Sequence, residues 1–106
     1  MSRPLKIQIV ERARALIADE KHWCRNELAR DARGMDVCPL SDSAVKRCAL
    51  GAVIAAAYEM TGGYRAAYDL AIRATQPLYG TATLKVNDTR GHAAVLALFD
   101  EVIAAG

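Results

Sequence analysis

The chain reads as a small, mainly helical α+β domain: about four helices packed around a central alanine-rich helix, itself one of the four, with one short β-hairpin after the first helix. Three observations carry this reading. Hydrophobic residues make up 53% of the 106 positions but aromatics only 6%, and alanine supplies much of the difference. Alanine is the best helix former and is depleted in strands. The run from Cys48 to Ala57 has almost no polar group or side-chain bulk, as a buried helix requires. Apolar residues also recur at helical spacing in three further stretches, each bounded by glycine or proline. No composition break or internal repeat divides the chain, so residues 1–106 form one domain. That length supports a hydrophobic core without disulfides or metals as obligatory staples.

The first helix runs from Pro4 to about Ala18. Proline is tolerated in a first turn, and Ser2 stands just upstream as a cap. Leu5, Ile9, Val10, Ala13, Leu16 and Ile17 form its inward stripe, whereas Lys6, Arg12 and Arg14 fall on a solvated face. His22-Trp23-Cys24 follows, with Trp23 placed as a lid on the end of this helix. Asp31-Ala32-Arg33-Gly34 is a turn signal between Arg25–Arg30 and Met35–Val37, because Gly34 can supply the positive φ of a tight hairpin. A further helical turn from Asn26 to Ala32 is the alternative. Pro39 to Ser43 is a linker ending in good N-cap residues. The second helix then runs from about Ala44 to Met60, with Val45, Cys48, Ala49, Ala52, Val53 and Ala56 on one face. Thr61-Gly62-Gly63 ends it. A third helix from Tyr64 to about Thr75 has Tyr64 and Tyr68 on its inner face and an Asp69–Arg73 pair outside. Pro77 and Gly80 stop it, and Leu78 to Val86 reads as irregular or briefly extended. Thr89 or Gly91 opens a last helix to about Ala104, with Val95, Leu98, Phe99 and Val102 as its core stripe. Asn87-Asp88 then forms a polar turn before that helix.

Charge and cysteine content narrow the function classes. The net charge is +2, from 14 basic and 12 acidic residues, which gives no strong field for a dedicated nucleic-acid binder. The longest low-polarity run, Cys48 to Tyr58, is far short of the roughly 20 residues of a membrane span. No secretory signal is visible, and three cysteines are an odd number. A cytoplasmic protein with reduced thiols is expected.

Several stretches also line up as a set: Ala15-Leu16-Ile17, His22-Trp23-Cys24, Asp31-Ala32-Arg33-Gly34, Cys48-Ala49-Leu50-Gly51-Ala52, Asn87-Asp88, His92, and Val95-Leu96-Ala97-Leu98-Phe99-Asp100. In that order and spacing, over most of the chain, they resemble DUF6197, a small bacterial and phage domain of unknown function. The resemblance implies a stand-alone domain and carries over no activity, cofactor or partner. The family often has a hydroxyl residue just before its last helix, where this chain has Gly91.

The sharpest chemical reading is a thiol enzyme, with Cys48 as nucleophile, His92 as its base, and Asn87 or Asp88 orienting the imidazole. Against it, Cys48 lies more than a turn inside its helix if Ser43 is the cap, and a thiolate is best activated at a helix N-terminus. A buried structural cysteine is the competing account. His22, Cys24, Cys38, Cys48 and His92 are metal-ligand types, but no Cys-x-x-Cys pair occurs, so no metal is expected. Arg25, Arg30, Arg33, Lys46 and Arg47 with Trp23 as a stacking platform would suit nucleic acid. Asp31, Asp36 and Asp42 are interleaved with them, and nucleic acid is not the expected partner. The leading reading is a non-catalytic protein-interaction or accessory module without a cofactor, its partner an unknown protein or a second copy of the chain. Asn87, Asp88, His92 and Trp23 are its candidate binding residues. Gly51, a glycine inside a helix, predicts close approach by another backbone or by a ring such as Trp23 or Tyr68.

Overall fold

A computed structural model of the protein describes residues 4–63, 65, 69 and 80–105. The architecture is α+β and mainly helical. Four α-helices appear among the described residues: α1 (Leu5–Leu16), α2 (Ala49–Thr61), α3 (Gly80–Arg90) and α4 (His92–Ala105). Between α1 and α2 lie a 3-10 turn (Glu20–His22) and two short antiparallel strands, β1 (Ala29–Arg30) and β2 (Lys46–Arg47). The helix expected from Tyr64 to Thr75 falls outside the described residues except at Arg65 and Asp69, which are both helical. Ser2, Tyr64, Tyr68 and the expected Asp69–Arg73 pair lie outside them too.

Helix α2 is the central element. Ala49 and every residue from Gly51 to Ala57 are buried, which its near-continuous apolar sequence requires. It packs against α1 and α3, and α4 closes the group by packing on α1 and α3. The core joins Ile7, Ile9, Val10, Ala13 and Ile17 from the α1 segment to Ala52, Val53, Ile54, Ala56 and Ala57 of α2. Val95, Phe99 and Val102 of α4 complete it. Leu5, expected in the α1 stripe, is 44% exposed, because α1 begins beyond the edge of this core. Leu50 is only partly buried. At the surface, Arg12 pairs with Glu59 on α2 and Arg14 with Asp100 on α4, at 2.9 and 2.7 Å. Both pairs are exposed, so they orient α1 more than they stabilise it.

Three boundaries differ from the expectations. Helix α2 begins at Ala49, not near Ala44, and its cap is Cys48 rather than Ser43. The preceding residues are extended because Arg47 pairs on both sides, in parallel with Trp23 and antiparallel with Ala29. Val45, expected on the buried face of a helix, is 42% exposed. Second, the turn at Asp31–Gly34 forms as expected. Gly34 has φ 82, and Asp31 Oδ1 accepts the N–H groups of Arg33 and Met35. The returning chain makes one bridge, Arg30 to Asp36, while the two-residue ladder of β1 is to Lys46–Arg47. Third, Gly80–Arg90 is helical, where Leu78 to Val86 read as irregular. Asn87-Asp88 is therefore not a turn opening the last helix. It lies near the C-terminal end of α3, and Gly91 (φ 92) makes the break instead. The Gly91 carbonyl accepts from Val95 N–H, so this residue does open α4.

Gly51 is where the helix layer meets the strand patch. A Cβ built there would fall on the carbonyl oxygen of Leu28 and within 3.0 Å of its carbonyl carbon. The expected close approach exists, and the neighbour is the Leu28 backbone rather than Trp23. Backbone cannot retreat as a flexible side chain can. Gly51→Ala is therefore expected to destabilise the fold despite alanine's better helix propensity, and Gly51→Leu to do so more severely. Phe99, 1% exposed in the core, should cost about 3–5 kcal/mol when replaced by alanine. Thermal or denaturant melting of the three variants checks both expectations, and a Gly51→Ala midpoint at or above the natural one contradicts the backbone contact.

Candidate functional site

The expected site residues converge on one corner, where the chain after α1, the start of α2 and the end of α3 meet. Asn87 is its centre and is fully buried. Its Oδ1 accepts the Trp23 indole N–H at 2.6 Å and the Ala49 backbone N–H at 2.9 Å. Its Nδ2 donates to the Cys24 carbonyl at 3.1 Å and to Asp88 Oδ1 at 3.0 Å. A carboxamide has two acceptor sites on oxygen and two N–H donors. All four are used within the fold, so Asn87 has no valence left for a ligand.

Asp88 extends the network outward. Its Oδ1 also accepts the backbone N–H of Asn26, which adopts the left-handed conformation (φ 72) that asparagine tolerates. Trp23 is half-buried. The Arg25 guanidinium lies over its ring at 5.4 Å, and the His92 ring sits 5.6 Å away, tilted by 51°. The stacking face that would recommend Trp23 for a nucleic-acid base thus carries a cation of the same chain. Arg30 likewise donates to the carbonyls of Gly34 and Arg25, and Arg47 Nε to that of Pro39.

Cys48 occupies the N-cap of α2, and its Sγ accepts the Gly51 N–H at 3.3 Å. This placement reverses the expectation that it lies inside the helix. Helix N-termini favour thiolates, but Cys48 is 1% exposed, and burial outweighs the bond from Gly51. The thiol is pushed up from 9.0 to about 11. Burial also raises Cys24, with the charges of Arg30 and Lys46 acting against it. His92 is engaged elsewhere. Its Nε2 lies 2.6 Å from the Ile17 carbonyl. A carbonyl can only accept, so Nε2 carries the proton, and the imidazole caps the C-terminal end of α1. Cys48, His92 and Asn87 share a corner without forming the nucleophile–base–orienter chain of a thiol enzyme.

Among the described residues, no group of three or more His, Cys, Asp or Glu side chains is arranged to hold a metal ion. No helix among them is long and apolar enough to cross a membrane. Every buried side-chain nitrogen and oxygen among them has a hydrogen-bond partner.

Two open clefts lie elsewhere, lined mostly by residues that sequence reasoning did not select, Arg47 and His22 being the exceptions. One open cleft of about 370 Å³ is lined by Pro39, Leu40, Ala44, Arg47, Ala55 and Tyr58, with Ser41, Asp42 and Glu59 at its polar side. A second, of about 420 Å³, has Arg12, Ala15, Leu16, His22, Ala44, Val45 and Arg47. They adjoin at Ala44 and Arg47, and the Arg12–Glu59 pair bridges one to the other. None of Cys48, Asn87, Asp88 and His92 lines either cleft. The linker residues among them carried no motif, and the exposure of Val45 follows only from the late start of α2.

A family model described as a family of unknown function, DUF6197, matches residues 1–105. No curated protein and no solved structure matches the chain.

Two expectations follow from this geometry. Asn87→Ala orphans the Trp23 indole and the Ala49 amide together, and should cost about 2–5 kcal/mol. Trp23→Phe alone should cost less, and a double-mutant cycle on melting should show the two changes to be non-additive. The second concerns pH. The folded pKa of Cys48 lies above its unfolded value, so its contribution is complete below pH ~8.5 and is lost as pH rises through about 11. The melting temperature should therefore fall more steeply above pH ~9 in the natural chain than in Cys48→Ala, which has no thiol there to ionise.

Proposed function

Since the chain belongs to DUF6197, a family of unknown function, we propose that it is a non-catalytic protein-interaction or accessory module of the cytoplasm. Its contact surface is the face formed by the two adjoining clefts. The observation that carries this reading is the contrast between the two halves of the molecule. Asn87, at the centre of the polar corner, spends all four of its hydrogen-bonding positions within the fold, whereas the cleft face leaves apolar side chains in water: Val45 is 42% and Tyr58 40% exposed. Around them lie Leu16, Leu40 and Ala44, with Arg12, Arg47 and Glu59 as charges. Apolar side chains including tyrosine, ringed by polar groups, are the make-up of a protein contact surface. The partner is a protein, self-association being one form of it. The engagement of Arg25, Arg30 and Arg47 by the chain itself speaks against nucleic acid. The odd number of cysteines supports a reducing compartment.

A photo-crosslinking residue in place of Val45 should capture a defined protein in the host cytoplasm, and adding Leu16→Glu should abolish the capture. The same residue in place of exposed Lys6, at the far end of α1, should capture nothing. Equal capture at both positions, or none at Val45, overturns the surface. Sedimentation of the purified chain across a wide concentration range then tells whether the partner is a second copy.

The competing reading, a cysteine-dependent enzyme using Cys48 and His92, has one feature in its favour, the place of Cys48 at a helix N-terminus. Iodoacetamide on the native protein at neutral pH separates the two. Fast labelling should be confined to Cys38, which is exposed, with Cys24 reacting only slowly and Cys48 only after unfolding. Fast single-site labelling of Cys48 would sink the non-catalytic reading.

A further inference from the structure

We propose that Cys24 and Cys48 are a latent disulfide pair, which closes under a low-molecular-weight disulfide oxidant of the glutathione type and staples the Trp23 segment to the start of α2. The geometry is set by the backbone. Trp23 and Arg47 form a parallel bridge, and the Cys24 N–H donates to the Arg47 carbonyl at 3.1 Å. Cys24 and Cys48 are the next residue on each of these two segments, directly after this single bridge. Beyond them the segments part, because the Asn87 carboxamide spans the Cys24 carbonyl and the Ala49 N–H. Paired strands lie about 4.7–4.9 Å apart, and a disulfide tolerates Cα atoms about 4.4–6.8 Å apart, which leaves room for that parting. Residues that follow a parallel bridge project to the same side of the pair. Both cysteines are buried, at 6% and 1% exposure, consistent with a shared inner side. Neither sulfur is committed to a strong partner. The Cys24 thiol donates to the Glu27 carbonyl at 3.4 Å, and Cys48 Sγ accepts from Gly51 N–H at 3.3 Å.

Cys24 is the attacking thiol. It is the more exposed of the two, and Arg30 and Lys46 favour its thiolate. It gives up its proton and attacks one sulfur of oxidised glutathione. That S–S bond breaks, and one glutathione leaves as thiolate and takes up a proton. Cys48 then gives up its proton and attacks the Cys24 sulfur of the mixed disulfide; that S–S bond breaks, and the second glutathione leaves as thiolate and takes up the proton. Two protein thiols become one disulfide, and one oxidised glutathione becomes two reduced ones. Burial makes the exchange slow, on the uncatalysed scale of minutes to hours. Cys38 is exposed and lies on the other side of the turn, outside this register.

The natural protein is incubated with oxidised glutathione, alkylated in denaturant and digested with trypsin without reduction. The expected product joins peptide 22–25, which holds Cys24, to peptide 48–65, which begins with Cys48. Cys38, in peptide 34–46, should be absent from this cross-link. Read on Cys38→Ser, the oxidised chain should carry no covalent link to another chain and be about 2 Da lighter, one hydrogen lost per thiol. Its melting temperature should be raised, and reductant should reverse both changes. Cys24→Ser and Cys48→Ser should each abolish the internal cross-link. Three results overturn the proposal: both thiols alkylated after unfolding, a cross-link between chains, or glutathione persisting on Cys24 without resolution. Because the map is read on the natural chain, it does not depend on any variant folding.

Discussion

The Asn87 carboxamide is the interaction on which the arrangement of this molecule depends. From α3 it ties together two segments distant in sequence: the Trp23–Cys24 stretch, with two bonds, and the first residue of α2, with one. The fourth bond goes to its neighbour Asp88. Only a carboxamide can accept twice and donate twice from one side chain. Aspartate would offer no donor to the Cys24 carbonyl and would set a charge beside Asp88. The first amides of α2 would otherwise be buried without partners, since a helix leaves its first N–H groups unsatisfied. Asn87 takes the amide of Ala49, and the Cys48 sulfur takes that of Gly51. The start of the central helix is thus defined from outside as much as by its own sequence.

A second constraint fixes how near α2 comes to the strand patch. Gly51 lets the Leu28 carbonyl lie where a side chain would otherwise stand, and Cys48 N–H donates to that same carbonyl. The loss of helix propensity at a glycine is small beside the clash a Cβ would make. With α2 held here, Arg47 becomes the central residue of a three-stranded contact only one or two residues long, between Trp23 and Ala29. Pairing this short has little stability alone. It persists because Asn87 and Gly51 hold the elements on either side of it.

The same two constraints explain what was legible in the sequence. The core of α1, α2 and α4 was, because Ile9, Val53, Val95 and Phe99 follow a helical period that burial demands. The turn at Gly34 and the end of α2 at Gly62 were also readable, because positive φ leaves glycine as the natural choice. The start of α2 was not. Ser43 is a good cap by local chemistry, but its N–H donates to Ser41 Oγ, and pairing of Arg47 takes the next residues into extended structure. Helix α3 was hidden for a related reason. Asn87 is buried near its end, so a polar group stands where a periodicity search expects an apolar one. Asn87 and Asp88 do bond backbone amides, as turn formers do. The amides belong to Ala49 and Asn26, far away in sequence.

This placement also separates what the molecule can do from what holds it together. Asn87, Asp88, His92 and Trp23 looked like a site because they are polar residue types near one another. Their bonds go to each other and to the chain, and His92 caps α1 through the Ile17 carbonyl. A group saturated from within can recognise a ligand only by breaking a bond it already has, and a buried amide left unpaired costs about as much as a new contact gains. On the function proposed above, recognition falls instead to the clefts that meet at Arg47, where Val45 and Tyr58 are exposed. Arg47 belongs to both halves. Its backbone holds Trp23 and Ala29 in register beside Cys48, while its side chain divides the two clefts and is fixed by the Pro39 carbonyl. The Trp23 segment is thus tied to the start of α2 twice, through the Asn87 carboxamide and through the backbone of the residue that shapes the exposed face, one peptide unit from the Cys48 cap.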